Sequence, residues 1–172
     1  MRINHVQKAR KHQGDCEYCR VPIVAGASYK WVKSRFGPKR VRHGTCPTWR
    51  PSELTGGKIA TAYAAQEDAY DAIDDASTVE EIIQALEDCA GGARACMEDY
   101  QEGLDNMPEN LQDGDVGMQI QERIDALEYW ATDLEGQSGI ETWDGNEGEE
   151  PSEDWLEGQR QNARDLVDSL EL

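Results

Sequence analysis

The chain has 172 residues and a net charge of −18, with 38% hydrophobic and 7% aromatic residues. That length fits one ordinary domain, or a module of about fifty residues joined to a larger one, and the composition favours the second with a lean core. No apolar run approaches the roughly 18 residues that span a bilayer, and no apolar stretch follows the basic start as in a signal peptide, so a soluble intracellular protein is expected.

The total charge hides a division along the chain. Residues 1–50 carry twelve Lys or Arg against Asp15 and Glu17, a net of +10, whereas from Pro51 onward five cations face 33 acids, a net of −28. Such asymmetry predicts two surfaces with different partners. Five cysteines without a secretory signal predict reduced thiols or metal ligands rather than a disulfide framework, and the odd count agrees.

Residues 1–15 are polar and basic and read as a flexible or helical lead-in. Short apolar and aromatic runs at 21–24, 28–33 and 40–43, separated by turn residues around Gly26 and Gly37, predict short β-strands. Cys16 and Cys19 form a C-x2-C pair, and His43 and Cys46 add H-x2-C after a gap of 23 residues. Four soft or borderline ligands at that spacing predict one tetrahedral Zn2+. A closed shell leaves no open position, so the ion is expected to be structural and to supply on the order of 10 kcal/mol of folding free energy. The alternative is a loop histidine beside free thiols.

After Pro51 the pattern turns helical. A first helix, with Ser52 as a cap, is expected to reach Ala76 on a stripe of Ile59, Ala62, Tyr63, Gln66, Ala69, Tyr70 and Ile73; Gly56 and Gly57 weaken its first turns. A second helix capped by Ser77 or Thr78 repeats Ile83, Leu86, Ala90, Ala93, Met97, Tyr100 and Leu104 as an a/d seam. Cys89 and Cys96 lie about 10 Å apart along it and read as core. A loop at Met107 and Pro108 leads to a third helix over 116–134, with Ile120, Ile124, Leu127, Ala131 and Leu134, and the short connection predicts an antiparallel hairpin. Residues 136–151 are rich in Gly and acid and read as a mobile linker, with Trp143 its one sticky residue. A last helix over 152–170 places Trp155, Leu156, Ala163, Leu166, Val167 and Leu170 on one side, to pack on the hairpin or await a partner.

The expected architecture is α+β, mostly α: a basic zinc-finger module at 1–51, an acidic helical hairpin at 52–135, the linker at 136–151 and an amphipathic C-terminal helix at 152–172. The order C-x2-C, then Ile23 and Gly26 before Tyr29 and Trp31, then a basic strand into H-x2-C, resembles a treble-clef type zinc finger; poly(ADP-ribose) polymerase fingers share the ligand order. The resemblance covers residues 12–50. It implies zinc on Cys16, Cys19, His43 and Cys46, and some relatives place exposed backbone and aromatic residues on nucleic acid. The gap is shorter than in the polymerase fingers, so their DNA-break recognition does not carry over. The whole chain is also similar to small uncharacterised bacteriophage proteins that join such a finger to an acidic helical hairpin, on a segment running from Glu98, Asp99 and Tyr100 to Asn106, Met107, Pro108 and Glu109. That likeness implies a viral protein in the cytoplasm of a bacterial host cell.

Two binding functions are expected rather than an enzyme, since no phosphate loop, G-x-S-x-G or H-E-x-x-H is present. In the first, cations interleaved with aromatics contact nucleic acid through Lys30, Trp31, Lys33, Arg35, Lys39, Arg40 and Arg42. The bland counterpart is that these rings fill the small core and the cations are solvated or dock on the chain's own acidic helices. In the second, the acidic helices at 52–172 imitate DNA phosphates and inhibit a basic host protein, against the commoner meaning of a solvated helix face. The a/d seams equally allow a homodimer.

Overall fold

The computed structural model describes residues 2–34, 37–143 and 151–170. The chain divides into two compact units, Met1–Arg50 and Pro51–Leu172. The first holds a small antiparallel sheet and the second is helical, so the protein is mostly α.

In the first unit, strands β1 (Asn4–Val6), β2 (Tyr29–Lys33) and β3 (Lys39–His43) pair in that order. β1 corrects the expectation of a flexible or helical lead-in: Asn4 pairs with Trp31 and Val6 with Tyr29. Three residues are too few to show period-two alternation, so the strand is stabilised by its neighbour rather than announced by its own pattern. Residues 21–24 form no strand. Pro22 has no N–H to donate, Arg20 takes a left-handed φ of 62°, and only an isolated bridge joins Pro22 to Asp15. Backbone hydrogen bonds instead fold residues 9–27 into an irregular arm, with Ala9 tied in both directions to Gly26 and Ala27, and Gln13 and Gly14 tied to Ile23. The core beneath is lean: Ala9, Cys16, Ile23, Tyr29 and Val41 are buried, with Val6, Ala27, Trp31 and Cys46 packed against them.

In the second unit the expected first helix is split. One turn, α1 (Pro51–Leu54), is separated from α2 (Ala60–Asp75) at Gly57, whose φ is +88°. α3 (Val79–Asp105) opens on a capping box in which the Thr78 hydroxyl accepts from the Glu81 N–H and the Glu81 carboxylate accepts from the Thr78 N–H. After the single turn α4 (Glu109–Gln112), α5 (Asp115–Gly136) returns antiparallel to α3: Arg94 pairs with Glu135 at one end and Arg123 donates to the Tyr100 hydroxyl nearer the other. Ile73, Ile82, Leu86, Leu127, Trp130 and Leu134 are fully buried between these helices. Gly92 lets α2 and α3 approach closely, since a Cβ there would lie 2.3 Å from the Ala65 Cβ.

α6 (Glu153–Asp168) packs on α2, α3 and α5. Its Ser152 cap accepts from the Trp155 N–H, Arg164 pairs with Asp74 at 2.6 Å, and Arg160 donates to the Ala76 carbonyl at 2.7 Å. The start of the expected linker is docked as well. Ile140 packs on the helical core, the Glu141 N–H donates to the buried Gln159, and Trp143 meets Trp155 edge-on at 5.1 Å. The acidic run at 144–150 lies outside the described residues. No described helix is long and apolar enough to cross a membrane.

Candidate metal centre

The four predicted ligands converge. The knuckle forms because the Arg20 N–H donates to the Cys16 carbonyl and the Cys16 N–H to the Val21 carbonyl, which folds the C-x2-C segment back on itself. His43 ends β3 opposite Tyr29, and a tight turn then carries the chain to Cys46. Gly44 lets that turn lie close to Ser28: a Cβ there would lie 2.4 Å from the rotatable Ser28 Oγ and 3.0 Å from its Cβ, while the Gly44 N–H donates to the Ser28 carbonyl.

The ligand atoms of Cys16, Cys19, His43 and Cys46 lie within 4.8 Å of one another. Cys16 Sγ and Cys46 Sγ are 3.7 Å apart, and Cys19 Sγ is 3.3 Å from His43 Nδ1. A tetrahedral ion with metal–sulfur bonds of about 2.3 Å needs sulfur–sulfur edges of about 3.8 Å. The donor set and spacing therefore fit a metal ion such as zinc. At Cys16, though not at Cys46, the electrostatics favour the thiolate a metal requires. Burial opposes ionisation of Cys16, but the backbone N–H groups of Cys19, His43 and Tyr18 outweigh it and lower the thiol to about 6. Burial, reinforced by hydrogen bonds and charge from Cys16 and Cys19, pushes Cys46 up to about 11.

The cations expected to meet nucleic acid separate into two groups. Lys30 and Arg42 are each only 5% exposed. Lys30 Nζ donates to the Cys46 carbonyl at 2.5 Å and to Thr48 Oγ1 at 3.2 Å, which pins the segment after the last ligand. Arg42 donates to the Thr48 carbonyl and lies between the Trp49 and Tyr18 rings, 4.9 and 5.6 Å from their centroids. Arg40 forms a bidentate pair with Glu17, which also accepts from the Trp49 indole. Partial burial works against the Glu17 charge, yet these hydrogen bonds from Arg40 and Trp49 hold its carboxyl below the usual range. These three cations lace residues 46–49 and the knuckle to one face of the sheet.

The second group lies on the other face. Lys39 stands 4.9 Å from the Tyr29 ring centroid and 5.1 Å from that of the half-buried Trp31, with Nζ donating to Gln13 Oε1. Lys33 is exposed and directly opposite Lys39 in the ladder. Arg35 lies outside the described residues. Three further exposed cations, Lys8, Arg10 and Lys11, flank the buried Ala9 and line a cleft beside Tyr29. Sequence reasoning counted them only as part of a basic tail; the one available signal was a small apolar residue set among three cations.

No family model, curated protein or solved structure matches the chain.

Proposed function

We propose that residues 1–50 are a zinc-stabilised binding module whose exposed cations contact nucleic acid, with no chemistry of their own. Cys16, Cys19, His43 and Cys46 would hold one ion with a structural role, because four protein ligands leave no position for substrate or water. The ion contributes folding free energy to a unit whose core is too small to be stable alone. What the ligands and the laced segment then do is hold the sheet rigid.

The observation that carries the reading is the pair Lys33 and Lys39. Like charges directly opposite each other across a β-ladder oppose pairing. Neither lysine is in an ion pair among the described residues, and Lys39 is held over two aromatic rings. A polyanion relieves that repulsion by replacing the counterions around the pair. The reading is tested on the full-length, zinc-loaded protein by measuring binding of single-stranded and duplex oligonucleotides against salt concentration. Lys33→Gln/Lys39→Gln should weaken binding and flatten its salt dependence. Absence of binding at low salt removes the reading.

A further inference from the structure

Resting on that nucleic-acid reading, we infer that the cleft between residues 6–13 and Tyr29 seats one nucleotide unit, its phosphate held by Lys8, Arg10 and Lys11. The cleft has a volume of about 510 Å³ and is lined by those three cations with Val6, Gln13 and Tyr29. That volume lies within the range of sites for small ligands. No acid lines it: Glu17 is paired with Arg40, and Asp15 sits at the bridge to Pro22.

The cleft is built rather than a chance gathering of surface charge. Ala9, 3% exposed, accepts from the Gly26 N–H and donates to the Ala27 carbonyl, so its neighbours Lys8 and Arg10 are carried on a fixed backbone. Four residues on, the Gln13 N–H donates to the Ile23 carbonyl and the Gln13 side chain bridges the Lys11 carbonyl and Lys39 Nζ. The basic turn is thus tied at both ends, and its ordering cost is met on folding rather than on binding. Lys8, Arg10 and Lys11 make no ion pair among the described residues. The cations suit a phosphate, while half-buried Val6 and the small exposed part of Tyr29, 8% of that residue, give an apolar edge against which a sugar can lie.

The test uses the full-length, zinc-loaded protein, a labelled single-stranded oligothymidylate read by fluorescence anisotropy, and thymidine monophosphate and inorganic phosphate titrated separately by calorimetry. Lys8→Gln/Lys11→Gln removes two of the three partners of that one phosphate and should lower the salt slope by about 0.7, which at 0.1 M salt is about 5-fold in affinity. Arg2→Gln/Arg20→Asn removes the same charge away from the cleft and should change affinity far less; zinc content must be equal in all variants. Mononucleotide should bind more tightly than inorganic phosphate and be lost in the cleft variant. Equal weakening by the two double variants overturns the cleft assignment and leaves the nucleic-acid reading standing. Inorganic phosphate binding as tightly as mononucleotide also overturns the nucleotide seat. If no oligonucleotide binds but the mononucleotide does, and the cleft variant loses it, the nucleic-acid reading fails while the cleft remains a seat for a free nucleotide. Binding of neither ends both.

Discussion

Lys30 is the residue on which the laced segment depends, and Lys30→Met isolates its charge because the methionine stem fills the same buried space. The ammonium donates to the Cys46 carbonyl at 2.5 Å and to Thr48 Oγ1 at 3.2 Å from a site only 5% exposed. A hydrogen bond from a charged group contributes about 1.5–3 kcal/mol, and its removal leaves the carbonyl of the half-buried Cys46 without that donor. The two bonds share one donor and do not add fully, so the loss should be about 2–3 kcal/mol. Because metal binding and folding of such a module are coupled, that loss appears as an apparent zinc affinity about 30- to 150-fold weaker. Competition against a fluorescent chelator at fixed pH reads it directly. An unchanged zinc affinity combined with weaker nucleic-acid binding would refute the reasoning, since it would make Lys30 a surface contact.

Three further outcomes are expected. Cys16→Ser should abolish stoichiometric metal binding and unfold residues 9–46 while far-UV dichroism retains the helical signal; unchanged zinc content refutes the ligand assignment. The adjacent glycines of α3 should respond with opposite signs. A Cβ on Gly91 meets nothing within 4 Å, so Gly91→Ala should stabilise the helical unit by about 0.5–1 kcal/mol, whereas Gly92→Ala forces α2 and α3 apart and should destabilise it by about 1–3 kcal/mol in denaturant unfolding. Burial pushes the Cys89 thiol up to about 12, so only about one molecule in ten thousand carries the reactive thiolate at pH 8. Alkylation of Cys89 should therefore follow unfolding of the helices, and rapid labelling at Cys89 in the native protein, located by peptide mapping, contradicts the packing.

The convergence of Cys16, Cys19, His43 and Cys46 was readable from sequence because a metal-binding cluster depends on residue type and spacing, both of which are written in the chain. Helices were readable for a similar reason, since their periodicity survives over many residues. Cys89 and Cys96 are buried as expected, but the a/d seam is narrower than the buried arc of α3: Ile82 is buried while Ile83, Met97 and Leu104 are partly exposed. With α5, α2 and α6 all packed against it, α3 buries a wider arc than one two-helix seam requires. The burial of Lys30 and Arg42 is not legible from residue type, because charge ordinarily marks exposure. The alternation of β2 held the clue, for Lys30 shares a face with the fully buried Val32. The pinned turn at residues 9–13 has little local signal beyond Ala9 set among three cations, since its backbone hydrogen bonds reach partners up to eighteen residues away.

The five cations of the helical unit all serve as ties. Lys58 donates to the Asp99 carbonyl, Arg94 pairs with Glu135, Arg123 bonds Tyr100, and Arg160 and Arg164 fasten α6 to the end of α2. Mutational tolerance should consequently be lopsided. An acid distant from these ties can be neutralised with a gain, because each such change lowers the self-repulsion of a surface carrying 33 acids from Pro51 onward. Losing any one cation removes a cross-link and leaves another negative charge uncompensated. Sequence drift in this unit is therefore expected to be free among the acids that serve in no tie or cap and narrow at the five cations.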